Sequence, residues 1–95
     1  MANPYFQLIR CVNGLAMIEV NSVVAVPDFG LVLTFNSGER RRFDMRPYLQ
    51  YPVFRRLENP GYFSLARVDY GTVTWPGDID IAPETLYDRS VPLVD

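Results

Sequence analysis

The chain has 95 residues, 48% of them hydrophobic and 21% charged, with a formal net charge of −2. That length supports one hydrophobic core and not two, and those fractions exclude an intrinsically disordered or fibrous chain. The sequence holds no histidine and one cysteine, Cys11, which removes imidazole acid–base catalysis and any metal centre built by one chain from histidines or several cysteines; the acidic balance removes a global field that would gather nucleic acid.

Residues 1–16 are apolar but carry no clear period, and Asn3-Pro4 and Asn13-Gly14 read as turns, so an N-terminal arm or added strand is expected there. From Met17 to Val26 the chain is rich in β-branched residues, and Pro27-Asp28-Phe29-Gly30 supplies turn chemistry before Leu31–Phe35. Asn36-Ser37-Gly38 is a short hairpin loop that returns the chain as a third strand, Glu39–Met45. On strand alternation Leu31, Leu33 and Phe35 share one face, Phe43 and Met45 share a face with Glu39 and Arg41, and Arg40 and Arg42 project to the opposite side.

Arg46-Pro47 ends that strand, because proline removes a ladder donor. Pro52–Leu57 fits one or two helical turns, with Val53, Phe54 and Leu57 expected on one side and Arg55 and Arg56 on the other. Asn59-Pro60-Gly61 interrupts it, and Tyr62-Phe63 begins another turn of helix. Ala66, Val68 and Tyr70 then alternate with Arg67 and Asp69. After a two-residue turn at Tyr70-Gly71, Val73 and Trp75 alternate with Thr72 and Thr74, which predicts a second hairpin. Pro83-Glu84 opens a short helix through about Tyr87 or Asp88, and within the C-terminal tail 89–95 the residues Ser90 to Asp95 are expected to fray.

The fold expected is therefore α+β: an antiparallel three-stranded meander plus a second hairpin, with two or three short helices, in one domain over residues 17–88. Phe35, Phe43, Phe54 and Trp75 are the aromatic core fillers. Trp75, Gly71, Pro76, Gly77, Asp80 and Pro83 are structural in this reading, with Asp78 or Asp80 accepting backbone N–H bonds at the turn and helix start.

Three groups of residues bear on function. Asp78, Asp80 and Glu84, joined by Asp69, offer oxygens to a hard cation, but their spacing matches no calcium loop and capping is the stronger reading. No metal, no cofactor and no catalytic residue is assigned. Arg40, Arg42, Arg46, Arg55 and Arg56 form the basic concentration; solvated strand-edge charge is the simpler reading, and contact with nucleic acid the sharper one. Tyr48, Tyr51, Tyr62 and Tyr87 exceed what so small a core needs, and partly exposed aromatics are enriched at protein interfaces. Together with Arg40, Arg42, Arg55 and Arg56 they make the candidate interaction surface. The longest apolar run, Val23–Pro27, falls far short of the ~20 residues that span a bilayer, so a cytoplasmic protein without a membrane partner is expected.

From Met17 to about Tyr87 the chain resembles the bacterial family of domain of unknown function 2442. The resemblance is carried by Val26-Pro27-Asp28 before Leu31, Leu33 and Phe35, by Phe43–Leu49, by Pro52-Val53-Phe54 with Leu57, and by Val68–Trp75 with Asp80-Ile81-Ala82-Pro83-Glu84 and Leu86-Tyr87. It implies a small α+β fold without an established enzymatic activity. Some relatives resemble members of toxin–antitoxin pairs, and others look as if they carry a following helix-turn-helix domain, for which no room is expected after Tyr87. The expectation is a non-catalytic protein-interaction module with a protein partner or a homo-oligomer, antitoxin-like in its narrower form. The alternatives are a nucleic-acid-associated regulator using the arginines and a carboxylate-based metal-dependent enzyme.

Overall fold

The computed structural model describes residues 17–93; the arm expected at residues 1–16 lies outside them. Strand β1 (Val20–Val26) pairs with β2 (Gly30–Phe35), and β2 with β3 (Arg40–Asp44), all antiparallel. Strands β4 (Arg67–Asp69), β5 (Thr72–Trp75) and β6 (Ile79–Ile81) form a second antiparallel sheet. Helix α1 (Pro60–Phe63) precedes β4, and helix α2 (Pro83–Asp88) follows β6. A last strand, β7 (Val91–Pro92), returns to pair with β3, so the first sheet has the order β1-β2-β3-β7.

The class is α+β as expected, and each sheet has one strand more than the sequence reading gave it. Pairing of β7 corrects the fraying tail: Arg41 and Arg42 stand opposite Pro92 and Val91, and Leu93 N donates to Arg40 O at 3.0 Å. Strand β6 corrects the capping role given to Asp78 and Asp80. Asp80 sits opposite Thr74 as the outward residue between buried Ile79 and Ile81, and the helix begins behind Ala82, with Pro83 at its start and no side-chain cap. Two isoleucines flanking one polar residue are a strand alternation too short to stand out from a turn.

Register follows burial. Leu31, Leu33, Phe35, Phe43 and Met45 line the inner face of the first sheet, and Val73, Trp75, Ile79 and Ile81 that of the second. Leu57, Phe63 and Leu86 close the core from the helical segments. Each fully buried leucine or phenylalanine contributes about 1.5–3 kcal/mol over an exposed one. Phe54 packs at the margin of this core and not inside it. Residues Pro52–Glu58 form a 3-10 helix, whose three-residue period puts Phe54 and Leu57 on one side and turns Val53 out; it is 57% exposed, against the expectation of an apolar partner.

Three tight turns each use two successive positive φ angles: Asp28 and Phe29 (65° and 59°), Tyr70 and Gly71 (54° and 75°), and Gly77 and Asp78 (89° and 63°). A bulky side chain in that region costs about 1–2 kcal/mol, and at Phe29 the compensation is visible. Its ring meets Phe63 edge-on at 5.3 Å, and its carbonyl accepts from Met45 N at 2.9 Å. Tyr70 departs from the alternation expected for it, standing at the hairpin tip fully exposed. The two sheets are joined where Val20 N donates to Gly71 O at 2.8 Å.

Candidate functional site

The segment between β3 and α1 carries Tyr48, the exposed Tyr51 and the exposed Val53. Met45 follows β3, and Arg46–Tyr48 forms a 3-10 turn with Pro47 at its start. The turn swings Tyr48 back over buried Phe43, and the rings stack at 5.4 Å and 18°. Tyr51 is extended (φ −75°, ψ 138°), as the residue before a proline prefers. Its ring lies 6.4 Å from that of Tyr48, and the residue is 49% exposed. Tyr51, Pro52 and Val53 thus form an apolar ridge beside a ring fixed from below. Asn59 closes the segment by accepting from Gly61 N (2.8 Å) and Tyr62 N (3.3 Å), so it caps α1 as well as ending the 3-10 helix.

The other two tyrosines named from the sequence do not join that ridge. Tyr62 OH donates to Pro76 O, and a methyl on Gly77 would lie 3.1 Å from this hydroxyl and 2.8 Å from Arg56 Nη1. Tyr62 and Arg56 therefore brace the Pro76-Gly77 turn, while Trp75, 2% exposed, donates its indole N–H to Phe63 O at 2.9 Å. Tyr87 is drawn inward. Its OH donates to Glu39 Oε1 at 2.7 Å, its ring meets Phe35 edge-on at 5.2 Å, and the Arg41 guanidinium lies 4.3 Å above it.

Arg41 is the hub of that corner. It donates through Nη1 to Glu39 Oε2 (2.6 Å), through Nε to Ser90 Oγ (2.7 Å) and through Nη2 to Ser90 O (2.8 Å). Buried Ser90 in turn donates to Tyr87 O at 2.9 Å. The Tyr87 hydroxyl, then Arg41, holds Glu39 below the usual carboxylate range, and the same bond to Glu39, then burial, raises Tyr87. This network pins β7 onto β3.

The arginines are likewise divided. Arg46 pairs with Asp44 (2.9 Å), which lowers the Asp44 carboxyl and raises Arg46; Arg55 pairs with Glu58 (3.6 Å), and Arg67 with Asp69 (2.8 Å). Arg40 and Arg42 lie on the outer face of the first sheet, whereas Arg56 lies against the Pro76-Gly77 turn. The basic concentration in the sequence is thus several separate contacts in space.

On the second sheet a cavity of about 290 Å³ is lined by Arg67, Asp69, Tyr70, Thr74, Asp78 and Asp80, among others. Asp69 is already engaged by Arg67 and by Thr74 Oγ1 (3.0 Å). Glu84 sits apart from the cavity lining, in the first turn of α2. Among the described residues no group of three or more carboxylates, histidines or cysteines is placed to hold a metal ion, and no helix is long and apolar enough to cross a membrane. The two signals absent from the sequence reading were the exposed Val53 and Tyr70. Val53 depends on a 3-10 rather than an α period, and Tyr70 on which residue of the hairpin forms the tip.

The model of the family described as Protein of unknown function (DUF2442) matches residues 20–92. Those limits are the first residue of β1 and the last of β7, so all seven strands fall inside the match. No curated protein and no solved structure matches the chain. The chain belongs to the DUF2442 family.

Proposed function

We propose that this DUF2442 chain is a non-catalytic protein-interaction module, and that the ridge of Tyr51 and Val53 beside Tyr48 is the surface it offers. One observation carries the reading: Tyr51 and Val53 are about half exposed, next to a tyrosine ring immobilised on the core. Such a ridge gives apolar area at small entropic cost, because its backbone is set by two prolines and Tyr48 is stacked in place. The polar groups elsewhere support it, since Glu39, Arg41, Tyr87 and Ser90 are spent on holding β7, and Asp44 and Asp69 on neighbouring arginines.

The narrower form of the proposal is a bacterial, cytoplasmic, antitoxin-like member of a two-protein unit. The broad form is tested by sedimentation velocity from low to high micromolar concentration, together with affinity isolation from the native host, for the wild-type chain and for Tyr51→Ser/Val53→Ser. The expected result is self-association or a specific co-purifying protein that the double variant loses while keeping its melting temperature. A monomer throughout that retains the same proteins as the double variant would refute it.

A further inference from the structure

Area limits what the Tyr51–Val53 ridge can hold. A buried tyrosine covers about 150–250 Å², so Tyr51 and Val53, each about half exposed, offer roughly 200 Å² between them. A stable interface between two folded proteins takes about 800 Å² from each side. The ridge is therefore too small to hold a second copy or another folded domain by itself, and it suits a short linear segment.

Three common ways of binding such a segment do not fit this surface. Strand addition needs an open ladder, and Arg46–Tyr48 and Pro52–Glu58 are 3-10 helices. A helix laid in a groove needs anchors spread over successive turns, and the exposed apolar side chains here lie within three consecutive residues, Tyr51 to Val53. Recognition of acidic or phosphorylated motifs needs open arginines. Arg46 and Arg55 are paired with Asp44 (2.9 Å) and Glu58 (3.6 Å), and Arg56 lies against the Pro76-Gly77 turn.

A polyproline II segment does fit. It has three residues per turn and a rise of about 3.1 Å, so residues two apart stand about 6.2 Å apart along its axis and share one side. The rings of Tyr48 and Tyr51 are 6.4 Å apart. The carbonyls of such a helix have no internal donors, and two donors are at hand. Among the described residues the Tyr62 and Tyr87 hydroxyls are taken by Pro76 O and Glu39, whereas those of Tyr48 and Tyr51 meet no acceptor. We infer that the ridge binds a proline-rich, extended segment of a partner protein, with prolines on the two rings and against Val53 and with carbonyls accepting from the two hydroxyls. The inference rests on the reading of the ridge as the interaction surface and names the class of partner. Stiffness on both sides favours it: Tyr48 is stacked on Phe43, and a polyproline II helix is already ordered before it binds.

Titration of the isotope-labelled full-length chain with a decaproline peptide, followed by amide and tyrosine-ring resonances, tests this. The result expected is saturable shifts confined to Tyr48, Tyr51, Val53 and their neighbours, with a glycine–serine decapeptide of equal length giving none. Tyr51→Phe, which keeps the ring, should weaken decaproline binding about fivefold, the size of one net hydrogen bond. Tyr51→Ser/Val53→Ser, judged folded by unchanged amide spectra elsewhere, should weaken it at least tenfold. No saturable shift at millimolar decaproline overturns the inference, as do shifts centred away from the ridge, equal binding of the glycine–serine peptide, or indifference to the double variant. A dimer in sedimentation that the double variant abolishes overturns it too, because the ridge then serves a second copy. These failures are separable from failure of the interaction reading. A host partner lost by the double variant while decaproline does not bind refutes the proline-rich ligand alone, whereas retention of every host partner by the double variant, with no self-association of the wild-type chain, refutes the ridge as an interaction surface.

Discussion

Changing Tyr87→Phe removes one hydroxyl from the corner that pins β7 and leaves the ring on Phe35. A hydrogen bond to a charged acceptor is worth about 1.5–3 kcal/mol when well buried. Glu39, the acceptor at 2.7 Å, has a side chain 36% exposed, so solvent screening reduces this to about 1 kcal/mol. For a domain of this size that is a fall in Tm of roughly 4–8 °C.

The pH dependence follows from the two shifts, which have opposite signs. Glu39 is lowered, chiefly by the Tyr87 hydroxyl, from an ordinary 4.5; its contribution is complete above that value and is lost as pH falls through the folded value. Tyr87 is raised, chiefly by Glu39, from an ordinary 10.0; its contribution is complete below that value and is lost as pH rises through the folded one. The stability gap between the wild-type chain and Tyr87→Phe should therefore be widest between about pH 5 and 9 and narrow on either side. Urea unfolding followed by far-ultraviolet circular dichroism at pH 3, 7 and 10.5 measures it. A gap of equal size at all three, or none at pH 7, would refute the assignment of this corner as a charge-dependent latch.

Replacing Arg41 with methionine, which keeps much of the stem over Tyr87, should speed amide hydrogen exchange at Leu93 at least tenfold while leaving the β1–β2 ladder protected, because the bonds to Ser90 are what hold the tail. Asn59→Ala should cost about 0.5–2 kcal/mol in denaturant unfolding, since two backbone donors of α1 lose their acceptor. Gly38→Ala and Gly77→Ala separate backbone strain from crowding by the same measurement. Both glycines have φ near +90°, but only at Gly77 does the new methyl meet Arg56 and Tyr62, so about 1 kcal/mol is expected at Gly38 and about 2 kcal/mol or more at Gly77.

Most of the fold was legible wherever a single short-range rule decided it. Leu31, Leu33 and Phe35 alternate cleanly, Gly38 and Gly71 mark their turns, and Pro83 opens its helix, so those elements stand where the pattern put them. The misses are places where long-range contacts decide. Val91 and Pro92 have no strand pattern of their own and pair because Arg41, 49 residues earlier in the chain, grips Ser90. Ile79–Ile81 becomes a strand because β5 offers it an edge and the core accepts two isoleucines. For the candidate surface, Tyr48 and Tyr51 were readable as excess aromatics. Tyr62 and Tyr87 were not distinguishable from them, because the partners that occupy their hydroxyls, Pro76 and Glu39, lie 14 and 48 residues away.

The central claim is that the Tyr51–Val53 ridge meets a protein, and photo-crosslinking tests it most directly. With p-benzoylphenylalanine in place of Tyr51 in the native host, irradiation should yield one discrete adduct, either a dimer of the chain or a single partner, that is missing when the probe replaces exposed Glu84 on α2. No adduct from position 51, or the same scatter of adducts from both positions, would contradict it.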